Sequence, residues 1–580
     1  MTAGKTTAME VPEVVARALV EGAFSVEKFA ASFGVLVEAA GGMERLRGAV
    51  FDLAILGRLH RHVTSDGAVS GLGNTPLPAG WRWERLGALV SVIRGVSYPK
   101  SDAQNSRAPG LSPLLRANSI SSNGLLFEDL VYVPTKHVAP EQMLRVNDIL
   151  VAMASGSRAL VGKAAQLKAA FVGTFGAFCG VVRPNQDDTA PFLALFMSTP
   201  FYRSRIAGQS KGIGINNLRK QDIESIPVPL PPLAEQKRIV ARVDQIMALI
   251  DQLEAKQNRK HEVGARFTKA SLEALTTAEN PEAFESLWER VRGEFPIVIR
   301  QLSDVQPLRS TIIGLACGGW LSSVARTPEW GNGADLVGSI LKSRHIERAK
   351  LLKNGARPAS LPQDERVQFS EPPSTAQIPS SWTICGIEDL LACVPNALKA
   401  GPFGSALTKS MYVSRGYKVY GQEQVISGDH RIGSYYIDRA KFDSLKSCAV
   451  APGDMLVSLM GTVGKTLVLP GDCEPGIINP RLLKLSIHKS MSADYLRLCF
   501  QSPQSQRFLL ESARGVAMDG LNLGILRQLP ILLPPLPEQM WLLAKVEHLM
   551  KLCDALEAAL RRSEDRAAKL VEAVVQEMVA

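Results

Sequence analysis

The stretch GTVGKT, Gly461–Thr466, has the residue types of a phosphate cradle. Its glycines would let backbone N–H groups approach an anion, and its Lys and Thr would reach phosphate and metal. The complete motif is GxxxxGK[ST]; here the glycines stand two residues too close, and Leu459 holds the place of the first. A cradle needs the full run of N–H donors, so nucleotide-driven chemistry is not expected. The matching stretch ASGSRALVGK, residues 154–163, departs further. Eight histidines are scattered without an HxxxH pair, and eight cysteines form no CxxC, so no metal centre is expected and the thiols read as reduced and mostly buried. These loops do offer donors and cations: Ser155, Ser157, Arg158 and Lys163 in one, Thr462 and Lys465 in the other, and Lys211 and Arg514 at matching places beside glycines. Arg94, Lys100, Lys399, Ser405 and Lys409 extend the set by charge and loop context. Small, donor-rich loops with cations admit phosphates closely, and Arg, Asn and Gln then read base edges. The alternative for each is a solvated turn residue.

Composition narrows the classes of partner. The 580 residues suffice for more than one domain, and 46% hydrophobic content suffices for cores. No apolar run approaches a membrane span, and the N-terminus lacks a basic-then-apolar signal pattern, so the chain reads as cytoplasmic. Net charge is +10, with residues 81–230 contributing +7, residues 382–533 contributing +4, and everything else −1. Two basic blocks separated by near-neutral sequence suit a polyanion, or a modestly basic solvated surface.

The two blocks are copies. PPLAEQKRIVARVDQIMALIDQLEAKQ, residues 231–257, and PPLPEQMWLLAKVEHLMKLCDALEAAL, residues 534–560, are identical at 13 of 27 positions. Upstream, LPAGWRWERLGALV (77–90) is echoed by IPSSWTICGIEDLL (378–391), and NDILVAMASGSRALVGK (147–163) by GDMLVSLMGTVGK (453–465). FLALFMSTPFYRSRI (192–206) matches YLRLCFQSPQSQRFL (495–509), and KGIGINNLRKQDIESIPVPLPP (211–232) matches RGVAMDGLNLGILRQLPILLPP (514–535). The offset is 301 at the tryptophans and 303 at the helices. A shorter pair, LRGAVFDLAILGRL (46–59) and LRSTIIGLACGGWL (308–321), has its own offset. The order short helix, basic domain, long helix therefore occurs twice, which suits closure about a pseudo-two-fold axis. Within each domain the pattern reads as turn, apolar strand, small-residue loop and second strand.

The long helices carry a heptad seam. Ile239, Val243, Ile246, Ile250 and Leu253 step 4-3-4-3, as do Leu542, Val546, Leu549, Cys553, Leu556 and Leu560. A 3.5-residue period keeps one stripe facing a partner helix, so the copies are expected to pair as an antiparallel spacer. The alternative is a helix that covers its own domain. Double prolines preset the helix start, and Glu235 or Glu538 sits where the helix dipole favours an anion. Two domains that share a scaffold but differ in loops, RGVSYPKSDAQNS (94–106) against KAGPFGSALTKS (399–410), suit a ligand with two unlike sites at fixed separation.

The PLPPLAEQ helix start, the paired W…L openings, the GPFGSAL loop, the LR…LA…G.L helices and the basic helix ILKSRHIERAKLLKNGA (340–356) closely resemble the specificity subunit of type I restriction-modification systems. The resemblance covers roughly residues 40–578 and leaves residues 1–36 unmatched. It implies an α+β fold with two α/β target recognition domains, each a mostly β core with peripheral helices, joined by long antiparallel coiled-coil helices in a pseudo-two-fold internal repeat. It implies double-stranded DNA as ligand, each domain reading half of an asymmetric bipartite site. It further implies two methyltransferase subunits and restriction/translocase subunits as partners, docked on the helices that bear the seam. S-adenosylmethionine, ATP and Mg belong to those partners, and the specificity subunit holds no cofactor and catalyses nothing. An amino-methyltransferase would need [ND]PP[YF] to grip a base; NPRL at Asn479 lacks the second proline and the aromatic. The expected organisation is an N-terminal helical segment (1–76), recognition domain 1 (77–230), a helical spacer (231–350), a linker (351–377), recognition domain 2 (378–533) and a C-terminal spacer helix (534–580). Two rivals remain from other classes: a scaffold with two globular arms, and an enzyme with an unrecognised site.

Overall fold

Each repeated stretch opens and closes with a strand, and those two strands pair. In the computed structural model Arg82–Arg85 runs antiparallel to Pro227–Leu230, and Thr383–Cys385 antiparallel to Ile531–Leu533. The structure describes residues 39, 41–59, 77–121, 124–155, 157, 160–209, 216–323, 325–357, 361–363, 366–369, 378–459, 464–513 and 523–579. The chain divides into two compact units, one of residues up to His261 together with Arg562–Ala580, the other Glu262–Arg561. Both boundaries fall inside 44-residue helices, Leu233–Thr276 and Leu536–Val579.

In the first unit a four-stranded antiparallel sheet has the spatial order Val90–Arg94, Cys179–Pro184, Ile149–Ala152, Ala164–Gln166. Its central strand, apolar at every position, is buried on both faces. Ile149 and Val151 face a core shared with Trp81, Phe192, Phe196 and Tyr202. Leu150 and Ala152 face a second core with Leu115, Phe175 and Val181. A three-stranded sheet lies beyond it, with Leu111–Leu115 at its centre, parallel to Thr174–Phe175 and antiparallel to Val131–Pro134.

The second unit repeats this plan strand for strand. The four-stranded order is Leu398–Ala400, Leu482–Ser486, Asp454–Ser458, Thr466–Val468. Tyr417–Tyr420 is the centre of the three-stranded sheet, parallel to Gly476–Ile478 and antiparallel to Tyr436–Ile437. Met455 and Val457 belong to one core and Leu456 to the other. The recurring ND and GD before the central strand is a left-handed turn: Asn147 has φ 73° and Gly453 φ 85°. The following aspartate closes each turn, Asp148 accepting from the N–H of Arg145 at 2.8 Å and Asp454 from that of Ala451 at 2.8 Å.

The helix motifs are the anchors of these domains. Gln236 donates from Nε2 to the carbonyl of Pro231 and Gln539 to that of Pro534, each at 2.9 Å, so the Gln of the repeated EQ caps the double proline. Glu235 accepts from Trp81 Nε1 at 3.0 Å. Its counterpart Glu538, fully buried, accepts from Arg326 Nε at 3.0 Å, and the Arg326 guanidinium lies 5.9 Å from the ring centre of Trp382. The LR repeat is a clamp. Arg47 Nη2 donates to Asp251 and Glu254 at 2.5 and 2.8 Å, and Arg309 Nη2 to Asp554 and Glu557 at 2.7 and 3.1 Å. Each arginine also lies 3.9 Å from a methionine sulfur, Met247 or Met550. Burial works against these charges, but the acceptors outweigh it and hold both guanidinium pKa values above normal.

The seam is interior. Ile239, Val243, Ile246, Ile250 and Leu253 lie in the first unit's core with Trp81, Leu46 and Val571. Leu542, Val546 and Cys553 lie in the second unit's core, Leu549 and Leu560 pack against it, and Leu556 packs with Leu272 and Leu275. These positions therefore pack the long helices onto the cores of their units, with Leu549, Leu556 and Leu560 half-buried. Replacing Ile246 and Ile250, both 0% exposed, by Asp would leave two carboxylates without partners. The double variant is expected to lose more than about 4 kcal/mol of stability in denaturant unfolding.

Asp52, on the helix Gly42–Ile55, accepts from the N–H of Phe201 at 3.2 Å, and burial raises its pKa to about 6. A raised carboxylate pKa means the folded state favours the protonated form, so stability falls as pH rises from about 4 to about 6 and is level above. Its counterpart in the second repeat is Gly314. Asp52→Asn keeps the acceptor and removes the charge. The variant is expected to gain about 1–2 kcal/mol at pH 7, after allowing for solvent screening, and to lose that decline in a pH series of unfolding curves.

Candidate nucleic-acid interface

In both units the two sheets meet where the backbone passes through a glycine. Gly95 donates to the carbonyl of Cys179 at 3.1 Å, and Gly401 to that of Leu482 at 2.9 Å. A methyl group on Gly95 would overlap the Gly176 carbonyl, and one on Gly401 that of Asn479. The Gly176 N–H reaches the carbonyl of Leu115, and the Asn479 N–H that of Tyr420, each at 2.9 Å. The next strand closes the junction: Met153 donates to Phe178 O at 2.9 Å, and Leu459 to Arg481 O at 3.0 Å. These bonds pair Gly95 with Gly401, Gly176 with Asn479 and Phe178 with Arg481 as equivalent positions. The ends of strands from both sheets thus deliver loops to one place.

In the first unit the junction carries Arg94, exposed at the end of its strand, and Phe178, 66% exposed. Ser155 stands in a short strand, Ala154–Ser155, that pairs antiparallel with Asn216–Asn217. The Ser157 N–H donates to Ser155 Oγ at 3.1 Å. Lys163, half-buried, follows Gly162, and the carbonyl of Lys163 accepts from Ala152 at 2.9 Å, beside the junction. Arg94 ends one edge strand of the four-stranded sheet, and Lys163 leads into the opposite edge strand. Lys100 is exposed on a separate turn, Lys100–Asp102, where Asp102 meets His137 at 2.8 Å; that bond holds the Asp102 carboxyl below its usual range.

In the second unit Ser405 and Lys409 are exposed on the turns Gly404–Ala406 and Lys409–Met411, downstream of Gly401. Lys465 is exposed at the opening of the strand Thr466–Val468. Gly464, with φ 76°, donates to Ser458 O at 3.1 Å and closes a hairpin, as Gly162 with φ 78° does in the first unit. A strand follows the GK pair where a phosphate cradle would start a helix. Lys399 is a strand residue opposite Lys484, and not a loop residue as its charge suggested. Lys484 is 6% exposed, burial lowers its pKa, and its Nζ donates to Ala449 O at 2.7 Å, so it is structural. Arg158, Lys211, Thr462 and Arg514 lie outside the described residues.

The sequence reading passed over Phe178, Arg116, Gln422 and Arg481. Arg116 is exposed, follows the strand Leu111–Leu115, and donates to Asp129 O at 3.2 Å. Arg481 Nη1 donates to Gln422 Oε1 at 3.4 Å, and Gln422 Nε2 donates to Ser458 Oγ at 2.8 Å. Asn479, the near miss of a methyltransferase motif, accepts the Arg481 N–H on Oδ1 at 2.9 Å and so shapes the turn. Among the described residues no three His, Cys, Asp or Glu side chains gather to hold a metal. No helix there is long and apolar enough to cross a membrane. Seven of the eight cysteines are buried, and none is in a disulfide.

Comparison with known proteins places these features. The type I restriction modification DNA specificity domain matches residues 78–262. The type I restriction enzyme StySPI specificity subunit of Salmonella potsdam is 37% identical over 207 residues, covering 35% of this chain and 45% of that protein. The match thus spans less than half the length of that relative. The EcoEI specificity subunit of Escherichia coli is 23% identical over 523 residues, 86% of this chain and 82% of that one. The crystal structure of the HsdS subunit from Thermoanaerobacter tengcongensis aligns over 87% of this chain and 98% of its own, with 19% identity and a TM-score of 0.37. Residues 78–262 thus match the DNA specificity domain of this family, and the chain is similar to specificity subunits of type I restriction enzymes.

The junction glycines supply a test. Gly95→Ala and Gly401→Ala would each push a methyl into a backbone carbonyl, which cannot move aside cheaply. Each variant is expected to lose at least about 2 kcal/mol of stability in denaturant unfolding. Gly471→Ala, at a position where a methyl meets nothing within 4 Å, is expected to leave stability unchanged.

Proposed function

We propose that this chain is the DNA-recognition subunit of a type I restriction-modification complex, with each domain reading one half of an asymmetric bipartite target. The observation that carries the proposal is the pair of junctions: one backbone plan that bears different side chains at equivalent positions. Phe178 stands where Arg481 stands, Ser97 where Phe403 stands, and Arg94 where Ala400 stands. Shared scaffold with exchanged contact groups supports two readers of two sequences, since base edges are distinguished by the donors, acceptors and apolar groups presented to them. The net charges of +7 and +4 on the two repeated blocks fit phosphate contact by both.

In this reading the exchangeable recognition units are residues 77–230 and 378–533, which the strand pairs Arg82–Arg85/Pro227–Leu230 and Thr383–Cys385/Ile531–Leu533 close at their bases. The helices Gly42–Ile55, Leu233–Thr276, Leu302–Cys317, Gly333–Lys353 and Leu536–Val579 form the helical frame, while much of the N-terminal segment 1–76 and of the linker 351–377 lies outside the described residues. Two methyltransferase subunits and the restriction/translocase subunits dock on that frame. They bring S-adenosylmethionine, ATP and Mg, and the chain itself contributes recognition and no catalysis, in the cytoplasm. Exposed apolar side chains on the long helices, such as Val263, Phe267, Met540 and Leu552, support docking of other proteins there.

The test exchanges residues 77–230 for the corresponding domain of a relative and sequences the methylated sites in a host carrying the complete system. One half of the target is expected to change and the other to persist; a change in both halves, or in neither, contradicts modular reading. A salt titration of the same protein separates it from a scaffold whose arms bind protein. Counterion release predicts that log K falls with log salt with a slope of several units, roughly 0.9 per phosphate contacted. A slope near zero contradicts the proposal.

A further inference from the structure

The strongest unassigned arrangement is Arg481 and what holds it. Arg431, Arg439, Arg497 and Arg527 of the second domain each lie against a carboxylate: Asp429, Asp443, Asp494 and Glu388. Among the described residues no carboxylate pairs with Arg481, which is exposed. Its guanidinium is oriented instead by a neutral amide: Nη1 donates to Gln422 Oε1 at 3.4 Å, and Gln422 is held in turn through Nε2 by Ser458, 0% exposed. The main chain is fixed as well, with Arg481 N donating to Asn479 Oδ1 and Arg481 O accepting from Leu459 N. Gly401 packs its backbone on the Asn479 carbonyl, which sets the loop bearing Phe403, 72% exposed, beside the same turn.

A phosphate contact asks for positive charge at the right distance and little else, so it needs no such chain of orienting bonds. A base contact asks for direction. A guanidinium steered on one nitrogen by an amide presents its remaining N–H groups outward as a fork, and guanine offers two acceptors, O6 and N7, on its major-groove edge. An exposed phenyl ring next to it suits the apolar parts of the groove, where a thymine methyl or an unstacked base step lies, and gains nothing from phosphate. The equivalent place in the first domain holds Phe178, which has no donor.

We propose that Arg481 is a specificity-determining residue that reads a guanine in the half-site of the second domain, with Gln422 as its positioning residue. The inference rests on the recognition-subunit reading above and goes beyond it by assigning one residue to one base. The first domain, with Phe178 at this place, makes no guanine contact there.

The experiment uses the full-length chain co-expressed with the methyltransferase subunits of its own system. The probe is a pool of DNA duplexes with two randomised blocks, selected by binding at 150 mM salt and then sequenced. The wild-type complex is expected to enrich a motif in both blocks, with a guanine at one position of one block. Arg481→Ala is expected to reduce the preference for that guanine by about tenfold or more and to leave the other block unchanged. Arg481→Lys keeps the charge and can still donate to a guanine acceptor but not as a fork; it is expected to hold overall affinity within about threefold and to retain a weaker guanine preference than the wild type. Gln422→Ala is expected to weaken the same preference part-way. Retention of the full guanine preference by the Ala variant, a uniform loss of affinity without a change of motif, or a change in both blocks would each overturn the assignment. A wild-type complex that enriches no motif would sink the recognition-subunit reading itself, and that outcome is seen before any variant is made.

Discussion

Each of the two repeated domains hangs from one antiparallel strand pair, and the rest of the structure depends on that constraint. The chain enters at Trp81 or Trp382 and leaves at the double proline, with the two ends hydrogen-bonded side by side. Because the long helix begins at that point, its first turn can be tied to the domain. Glu235 does so through Trp81, and the buried Glu538 does so through Arg326, whose guanidinium lies over Trp382. A buried carboxylate is costly unless it is paired and hydrogen-bonded, so these residues are strongly determined wherever the domain must be held still against its helix. Arg47 and Arg309 add a second hold further along, each spanning one turn of long helix to reach an Asp and a Glu.

With its ends fixed, the interior of each domain is free to differ. The central strands share an apolar middle, Leu150–Val151 and Leu456–Val457, since both faces are buried, and the turn before them keeps only a residue that tolerates positive φ. The junction glycines are kept because two backbones cross there. What varies is what those backbones deliver: Phe178 in one domain stands where Arg481 stands in the other, and Ser97 where Phe403 stands. That economy suits proteins whose targets diverge while their frame persists.

Much of this was legible from the chain alone, because it is written in period and repetition. The heptad stripe, the two offsets of 301 and 303, the tryptophan openings and the strand-loop-strand pattern are local signals, and the strands Ile149–Ala152 and Asp454–Ser458 with their hairpin partners lie where that pattern put them. The seam was legible as apolar but not as to what covers it, since a stripe that packs on its own domain has the same spacing as one that packs on a partner. The binding residues were least legible. Charge pointed to Lys399, but strand register sets it opposite Lys484. Nothing in the order of residues says that Phe178 and Arg481 are equivalent, because that equivalence runs through hydrogen bonds to Met153 and Leu459. Asn479 drew notice for an enzymatic motif it does not complete, while its work is to turn the chain one residue before the proline.

The central claim is that two like-built modules touch two separate stretches of one duplex. Hydroxyl-radical footprinting of the assembled complex on a duplex carrying its own methylation site tests this most directly. The account predicts two protected tracts with an accessible gap between them. A single continuous tract, or protection confined to one half-site, would contradict it.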